Sequence, residues 1–286
     1  GKTTLSTDES LTLVGDDEHG WSDDGVFTIE GGCYAKTQGL DPGKEADIHA
    51  ASTQFGTVLE NVIIDPATNM PDFSDTCLTE NTRSAYDISK IPGAAASGCA
   101  GHPRHVFLLA CDAFGVLPPI ARLTHQQAVD IFMTGYTSKV AGTERGIRTP
   151  TPVFSECYAR PFLPRPPSVY RVMFLERIRS SKSQCWLINT GWQGGPAGTG
   201  QRIALEYTRR IIAAAINNEL GDVDTDTLPF LDLQIPTSID GIPGALLNPA
   251  HAWPGDGYNQ AAGKLADMIS RHMSSSDPRK SGSMPN

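Results

Sequence analysis

Apolar residues recur along this chain in two kinds of pattern. Continuous runs at Leu11–Gly15 (LTLVG), Val106–Ala110 (VFLLA) and Cys185–Ile188 (CWLI) predict buried strands, the second of them fully buried and central. Gly25–Lys36 alternates and carries Gly31-Gly32, which predicts a strand with a sharp bend or bulge. Val62–Ile64 and the segment near Phe73 flank Asp65-Pro66-Ala67-Thr68-Asn69, a hairpin signal. Three helices stand out. Thr124 with Gln127 forms a capping box ahead of Ala128, Ile131 and Phe132. Leu205–Leu220 repeats Leu205, Ile212, Ala215 and Ile216 on one face, with Gly221 as its stop. Asn259–Met273 places Ala262, Leu265, Ile269 and Met273 together. Thr4 to about Ser10 has room for a very short helix only. Strands mixed with helices and hairpins predict a mixed α/β fold. Residues 1–273 read as one domain and 274–286 as a disordered tail.

Composition narrows the class. The 286 residues suffice for one large domain or two small ones, and their folding could bury roughly three quarters of the unfolded surface. The 28 Gly and 21 Pro imply many turns and long loops. The net charge is −9 and no basic block occurs, which argues against nucleic acid as a partner. An acidic protein that binds nucleotide must concentrate positive charge locally, and Lys2 is the first candidate. The six cysteines lie at least twelve positions apart, without a C-x-x-C pair, as expected for reduced thiols in a cytoplasmic enzyme. Cys99, His102 and His105 sit three apart, but His105 opens an apolar run and a fourth ligand is missing, so no metal site is expected there. No apolar run approaches the ~20 residues that span a bilayer, and no signal-peptide pattern is present, so no membrane partner is expected.

Candidate chemistry begins at the first residue. Gly1-Lys2-Thr3-Thr4 matches the end of the phosphate-binding pattern G-x-x-x-x-G-K-[ST]. In that pattern backbone N–H groups cradle phosphates, the Lys reaches the β/γ-phosphates and the Ser/Thr hydroxyl holds Mg²⁺. The strand feeding such a loop lies upstream, so the chain is expected to be a piece of a larger nucleotide-using protein. The run LTLVG ends on Asp16-Asp17, carboxylates that a phosphate loop needs beside it for a divalent cation. In common P-loop proteins the acidic strand follows a full helix and another strand, whereas here it follows at once. A solvated turn is the plainer reading of two adjacent acids, but Glu18 and His19 in the same Gly-flanked stretch favour a cation.

Longer blocks carry a resemblance. Gly-Lys-Thr-Thr-Leu-Ser is followed by Gly15-Asp16-Asp17-Glu18-His19-Gly20-Trp21, Glu30-Gly31-Gly32-Cys33-Tyr34-Ala35-Lys36, Leu59-Glu60-Asn61 and Glu80-Asn81-Thr82-Arg83. Cys111–Pro119 (CDAFGVLPP), Ala141-Gly142-Thr143-Glu144-Arg145-Gly146, Asn189-Thr190-Gly191-Trp192 and Arg202-Ile203 complete the series over about residues 1–250. The set resembles the ATP-dependent phosphoenolpyruvate carboxykinases. The resemblance implies a P-loop-containing α/β catalytic domain that decarboxylates oxaloacetate to an enolate and transfers the γ-phosphoryl of ATP to it. ATP, Mg²⁺ and Mn²⁺ are the implied cofactors, and oxaloacetate and ATP the small-molecule partners. Gly1, Lys2, Thr3 and Thr4 match the phosphate loop, with Lys2 on the β/γ-phosphates and Thr3 on Mg²⁺. Asp17 matches the Mn²⁺ ligand, and Asp16 stands beside it toward the Mg²⁺ water shell. Arg83 matches the arginine bridging substrate and γ-phosphate, Glu45 a nucleotide-contacting position, and Arg202, Ile203 and Thr208 the adenine and ribose pocket. Lys2, Asp17 and Arg83 are the implied catalytic set. The glycines at 194, 195, 198 and 200 read either as a nucleotide loop or as a merely flexible one.

The chain also departs from the family's wording. Thr149 replaces a usual Glu, Phe154-Ser155-Glu156-Cys157-Tyr158-Ala159 differs from the usual block, Gln201 replaces a Lys, and Arg160–Ser168 is richer in Pro and Arg. The family's N-terminal domain, the front of the phosphate loop and the Lys and His that complete the Mn²⁺ shell are expected upstream. The alternative to an active enzyme is therefore a nucleotide-binding fragment that turns nothing over by itself.

Overall fold

A computed structural model describes residues 2–8, 10–139 and 150–275. The described residues form two compact units, one running through Pro103 and the other starting at Arg104. Both contain strands and helices, as a mixed α/β fold requires.

In the first unit the central element is the strand Arg83–Asp87, flanked antiparallel by Gly32–Lys36 and Val58–Glu60. Strand alternation turns Cys33, Ala35 and Tyr86 into a core shared with Leu13, Ile48, Ala51 and Phe73. Helix Ala46–Thr53 is tied to the central strand by a buried hydrogen bond between the Ser52 and Ser84 hydroxyls, 2.7 Å apart. The predicted hairpin forms between Ile63–Ile64 and Pro71–Asp72, turned by Asn69 at φ 57°. The alternating stretch Gly25–Lys36 breaks into two strands in different sheets. Val26–Thr28 pairs with His19–Trp21 and Cys99–Ala100, while Gly32–Lys36 joins the central sheet. The expected bend is thus a complete change of sheet.

Two expectations for this unit are corrected. Leu11–Gly15 is not a strand: Leu13 is buried and its carbonyl accepts from Ala95 N–H at 2.8 Å, but no ladder forms along the segment among the described residues. An apolar run marks burial, and pairing needs a partner strand that this segment lacks. The short helix spans Lys2–Ser6, earlier than Thr4–Ser10.

The second unit is built on a five-stranded sheet in the order Thr225–Leu228, Leu233–Pro236, Ile120–Leu123, Gln184–Asn189, His105–Ala110. Neighbours are antiparallel except the last pair, which is parallel. Gln184–Asn189 is buried along nearly its whole length. Trp186 and Ile188 face Ile211, Ala214 and Ala215 of helix Leu205–Ile216. The sequence assigned the central place to Val106–Ala110. That strand instead ends the sheet among the described residues, and only Leu108 and Ala110 are buried in it. An apolar run shows that a strand packs, but it does not encode strand order.

Helix His125–Thr134 starts as expected. The Thr124 hydroxyl accepts from Gln127 N–H, the Gln127 side chain accepts from Thr124 N–H, and Gly135 ends the helix at φ 53°. Helix Leu205–Ile216 ends before Gly221, because Asn217 caps it and Asn218 takes the left-handed turn at φ 60°, a conformation Asn tolerates. Helix Gly257–Ser275 extends the predicted 259–273 by two residues at each end and buries Ala262, Leu265 and Ile269. The predicted tail from 276 onward lies outside the described residues, as do Ala141–Gly146 and Thr149. His102 and His105 each accept an indole N–H at Nδ1, from Trp21 at 3.0 Å and Trp186 at 3.2 Å. No helix among the described residues is long and apolar enough to cross a membrane.

All six cysteines are free thiols, with only Cys77 and Cys99 exposed. Burial raises the other four, Cys33 to about 12 and Cys157 and Cys185 to about 11, with Cys111 raised as well. Iodoacetamide at pH 8 should therefore label Cys77 and Cys99 in the folded chain, and all six after denaturation, as read by mass spectrometry. The sign of the linkage follows. An unfolded thiol ionises near 9.0 while its buried counterpart stays neutral to about 11, so stability should fall as pH rises above 9. A melting temperature unchanged between pH 8 and 10.5 would contradict this.

Candidate active site

In the first unit the Lys2 ammonium pairs with the Asp17 carboxylate. Both side chains are exposed, so the pair is worth little and either partner can be drawn away by a stronger counter-charge. Asp16 differs from its neighbour. It is 8% exposed. One of its oxygens accepts the Tyr34 N–H at 3.3 Å, and the other, Oδ1, is buried with no hydrogen-bond partner. A buried carboxylate oxygen without a donor is costly. The Asp16 charge reaches its surroundings, because it adds to burial in raising the Cys33 thiol and the Tyr86 hydroxyl.

The loop holding these residues is anchored from a distance in sequence. Thr4 Oγ1 donates to Glu45 Oε1 at 2.8 Å, at the entry to helix Ala46–Thr53. The Thr3 carbonyl accepts from Thr7 N–H at 3.0 Å and from the Ser6 hydroxyl at 3.1 Å. Glu45 therefore contacts the Lys2–Ser6 segment directly. Gly1 lies outside the described residues. Thr7 was missed by the sequence reading: its hydroxyl is buried and unpartnered, and an isolated Thr after a short polar run carries no signal.

Arg83 opens the central strand opposite Lys36 and Glu60. Its Nε donates to Asn81 Oδ1 at 3.1 Å, and its guanidinium lies 5.5 Å from the centroid of the Tyr34 ring. Tyr34 in turn donates to Glu60, a bond that raises its hydroxyl above the ordinary value. Arg83 is thus positioned by an amide and a ring face, which orient the guanidinium without neutralising it.

Arg202, Ile203 and Thr208 belong to the second unit. Arg202 is exposed, stacks 5.5 Å over Trp192 and donates from Nε to the Thr190 carbonyl at 3.3 Å. Ile203 is buried, and its N–H donates to the Gly191 carbonyl at 2.9 Å. Thr208 is buried on helix Leu205–Ile216, its hydroxyl 3.4 Å from the Ala204 carbonyl of the preceding turn.

What positions this segment is a knot around Asp112. Its carboxylate is fully buried and accepts from the N–H groups of Phe114, Val116 and Leu117 and from the Tyr136 hydroxyl, all within 2.7–2.8 Å. Burial and the Asp112 charge both raise the Tyr136 hydroxyl, which keeps its proton as donor. Asn189 completes the knot. Its Oδ1 accepts from the N–H groups of Asp112 and Gly191, and its Nδ2 donates to the Leu117 carbonyl. Gly191 is required here because a Cβ would sit 2.3 Å from the Asp112 backbone. Gly115 and Gly195 approach in the same way, the Gly195 carbonyl standing 2.1 Å from a Cβ added at Gly115. Cys111–Pro119 and Asn189–Trp192 are separate blocks in the sequence, and only the fold brings them to hold one another.

Whether the first unit suits a divalent cation can be tested on its donor set. Asp16, Asp17 and the Thr3 hydroxyl are hard oxygen donors, and Asp16 Oδ1 has unused acceptor capacity, which fits Mg²⁺ or Mn²⁺ chemistry. No group of three or more His, Cys, Asp or Glu residues is gathered for a metal among the described residues, so these donors make at most part of a coordination shell.

Comparison with known proteins identifies the family of the chain. The family profile for phosphoenolpyruvate carboxykinase matches residues 1–245. A phosphoenolpyruvate carboxykinase (ATP) of Rhodopseudomonas palustris strain BisA53 is 51% identical over 275 residues, covering 96% of this chain and 51% of the relative. A protein of the same name from strain BisB18 is 50% identical over 95% of this chain and 51% of its own length. One from Methylorubrum extorquens strain PA1 is 51% identical over 95% and 49%. The chain belongs to the phosphoenolpyruvate carboxykinase family. It spans about half the length of the curated relatives it matches.

Replacing Asp112 should unfold the second unit more easily. Asp112→Ala leaves several buried donors unpaired and should cost about 3 kcal/mol or more in a denaturant titration. Asp112→Asn keeps an acceptor oxygen and should cost less. Equal, near-zero losses for both variants would remove the knot from the account.

Proposed function

We propose that this chain contributes the phosphate- and cation-handling part of an enzyme that converts oxaloacetate and ATP to phosphoenolpyruvate, ADP and CO₂. The observation that carries this reading is the buried, donorless Asp16 oxygen beside the Lys2–Asp17 pair. Lys2 leaves Asp17 for the β/γ-phosphates of ATP, which frees the Asp17 carboxylate for a cation. Thr4 and Glu45 hold the loop while this exchange occurs. Arg83, held over Tyr34, bridges the incoming enolate oxygen and the γ-phosphoryl group and keeps them in line. Arg202, Ile203 and Thr208 take the adenine and ribose. When bound, Mg²⁺ at Thr3 and Asp16 and Mn²⁺ at Asp17 would neutralise phosphate and enolate charge. The substrates are small molecules, the setting is cytoplasmic, and neither nucleic acid nor membrane is a partner.

A second reading, nucleotide binding without turnover, is favoured by the partial donor set among the described residues. The two are separated by a coupled assay for phosphoenolpyruvate formed from oxaloacetate, ATP and Mn²⁺, run on this chain and on the protein extended to the length of its relatives. The first reading predicts turnover, with kcat/KM lowered about 10²–10³-fold by Arg83→Ala or Lys2→Ala. ATP binding without product supports the second. Near-normal activity in either variant contradicts the roles assigned.

A further inference from the structure

The outer face of the three-stranded sheet in the first unit sets a carboxylate beside Arg83 without joining the two. Ser84 and Tyr86 turn into the core from the central strand, as Cys33 and Ala35 do from its neighbour, so Tyr34, Arg83, Ala85 and Glu60 stand on the opposite face. Glu60 is the direct cross-strand partner of Arg83. Opposite charges at such positions, with Cβ atoms about 4.5–5.5 Å apart, ordinarily attract and pair. Here the Glu60 carboxylate accepts the Tyr34 hydroxyl instead, and no ion pair joins it to Arg83. Lys36 partners Arg83 from the other strand, one strand further from Glu60.

Tyr34 reaches Glu60 from the far side of the central strand. Its own cross-strand partner is Ala85, whose single methyl leaves the ring room to lie across that strand. The Arg83 guanidinium stands over the same ring, 5.5 Å from its centroid. Arg83 Nε is taken by Asn81, and the Asn81 carbonyl is held in turn by Asn61 Nδ2 at 3.1 Å. The two terminal nitrogens of the guanidinium have no partner among the described residues. Tyr34 thus supports Arg83 with its ring face and occupies the nearest carboxylate with its hydroxyl. A sheet that needed stability alone would be served as well by a direct Arg83–Glu60 pair. Diverting the carboxylate leaves a planar fork of donors suited to a bidentate oxyanion.

We propose that Tyr34 and Glu60 are positioning residues that keep Arg83 open to its anionic ligand: the Tyr34 hydroxyl holds the Glu60 carboxylate off the guanidinium that it would otherwise occupy. This rests on the role given to Arg83 in the proposed reaction. Without the hydroxyl, Glu60 is free to pair with Arg83, and the incoming oxyanion must displace a carboxylate that is already there. The competition acts on the unliganded protein, so it falls on KM more than on kcat. An exposed pair of this kind is worth about three- to fivefold in affinity. The hydrogen bond to Glu60 raises the Tyr34 hydroxyl, which keeps it a donor at neutral pH.

The test compares Tyr34→Phe, Glu60→Gln and the double variant in the protein at its relatives' length. Both side chains are exposed, so folding is not at stake. Tyr34→Phe keeps the ring under Arg83 and loses only the hydroxyl. It should raise the KM for oxaloacetate about three- to fivefold and lower kcat less. Adding Glu60→Gln should bring KM back to about the parent value, because an uncharged amide does not compete for the guanidinium. The gain from Glu60→Gln should be larger in the Tyr34→Phe background than in the parent, which marks a coupling that lost packing would not produce. Ligand-free crystal structures should show the Glu60 carboxylate on Tyr34 in the parent and on Arg83 in Tyr34→Phe. The proposal is overturned if Tyr34→Phe keeps the parental KM, if Glu60→Gln gives the same gain in both backgrounds, or if Glu60 stays away from Arg83 in the Tyr34→Phe structure. A parent protein without turnover would contradict the proposed reaction instead, and the place of Glu60 in the two structures would still decide.

Discussion

A carboxylate taken out of water must be given donors or a counter-charge, and this chain meets that demand in two opposite ways. Asp112 is fully buried and surrounded by four donors, three of them backbone N–H groups of the turn that follows it. Asp16 is almost as buried, accepts one backbone N–H, and leaves an oxygen without a donor. The first arrangement is finished within the protein and stabilises it. The second has acceptor capacity to spare, a state that costs stability and is retained where a ligand supplies the missing charge.

The Asp112 arrangement accounts for much of the second unit's irregular backbone. The carboxylate fixes the turn through Leu117, which delivers the chain to the strand Ile120–Leu123. Asn189, at the end of the interior strand, binds Asp112 and Gly191 together. That junction sets where the loop toward Arg202 leaves the sheet, and Ile203 returns to it through the Gly191 carbonyl. The side chains of this loop, Arg202 and Ile203 among them, are therefore held by hydrogen bonds that make it stiffer than its own glycine content suggests.

What was legible in the sequence divides along the range of the interactions. The Thr124–Gln127 box and the Asp65–Asn69 turn were read correctly, because each is settled within a few residues. LTLVG was misread as a strand and VFLLA as a central one, because burial is written in composition but pairing and strand order depend on distant partners. The helix stop at Asn218 was missed because Gly221, the better αL residue, lay close by. Lys2, Asp16 and Asp17 were visible as chemistry, but that Asp17 would be paired and Asp16 half-satisfied was not. The Asp112–Asn189 bond joins residues 77 apart and has no local trace.

The proposed function depends on a divalent cation, or its water shell, meeting the Asp16 oxygen that has no donor. Mg²⁺ titrated in the presence of ATP into the protein at its relatives' length, with and without Asp16→Asn, is the direct measurement. Loss of a carboxylate serving the ion or its water shell should weaken Mg²⁺ about 10–100-fold, with the folded state unharmed. Equal Mg²⁺ affinity in the parent and in Asp16→Asn would contradict this role for Asp16.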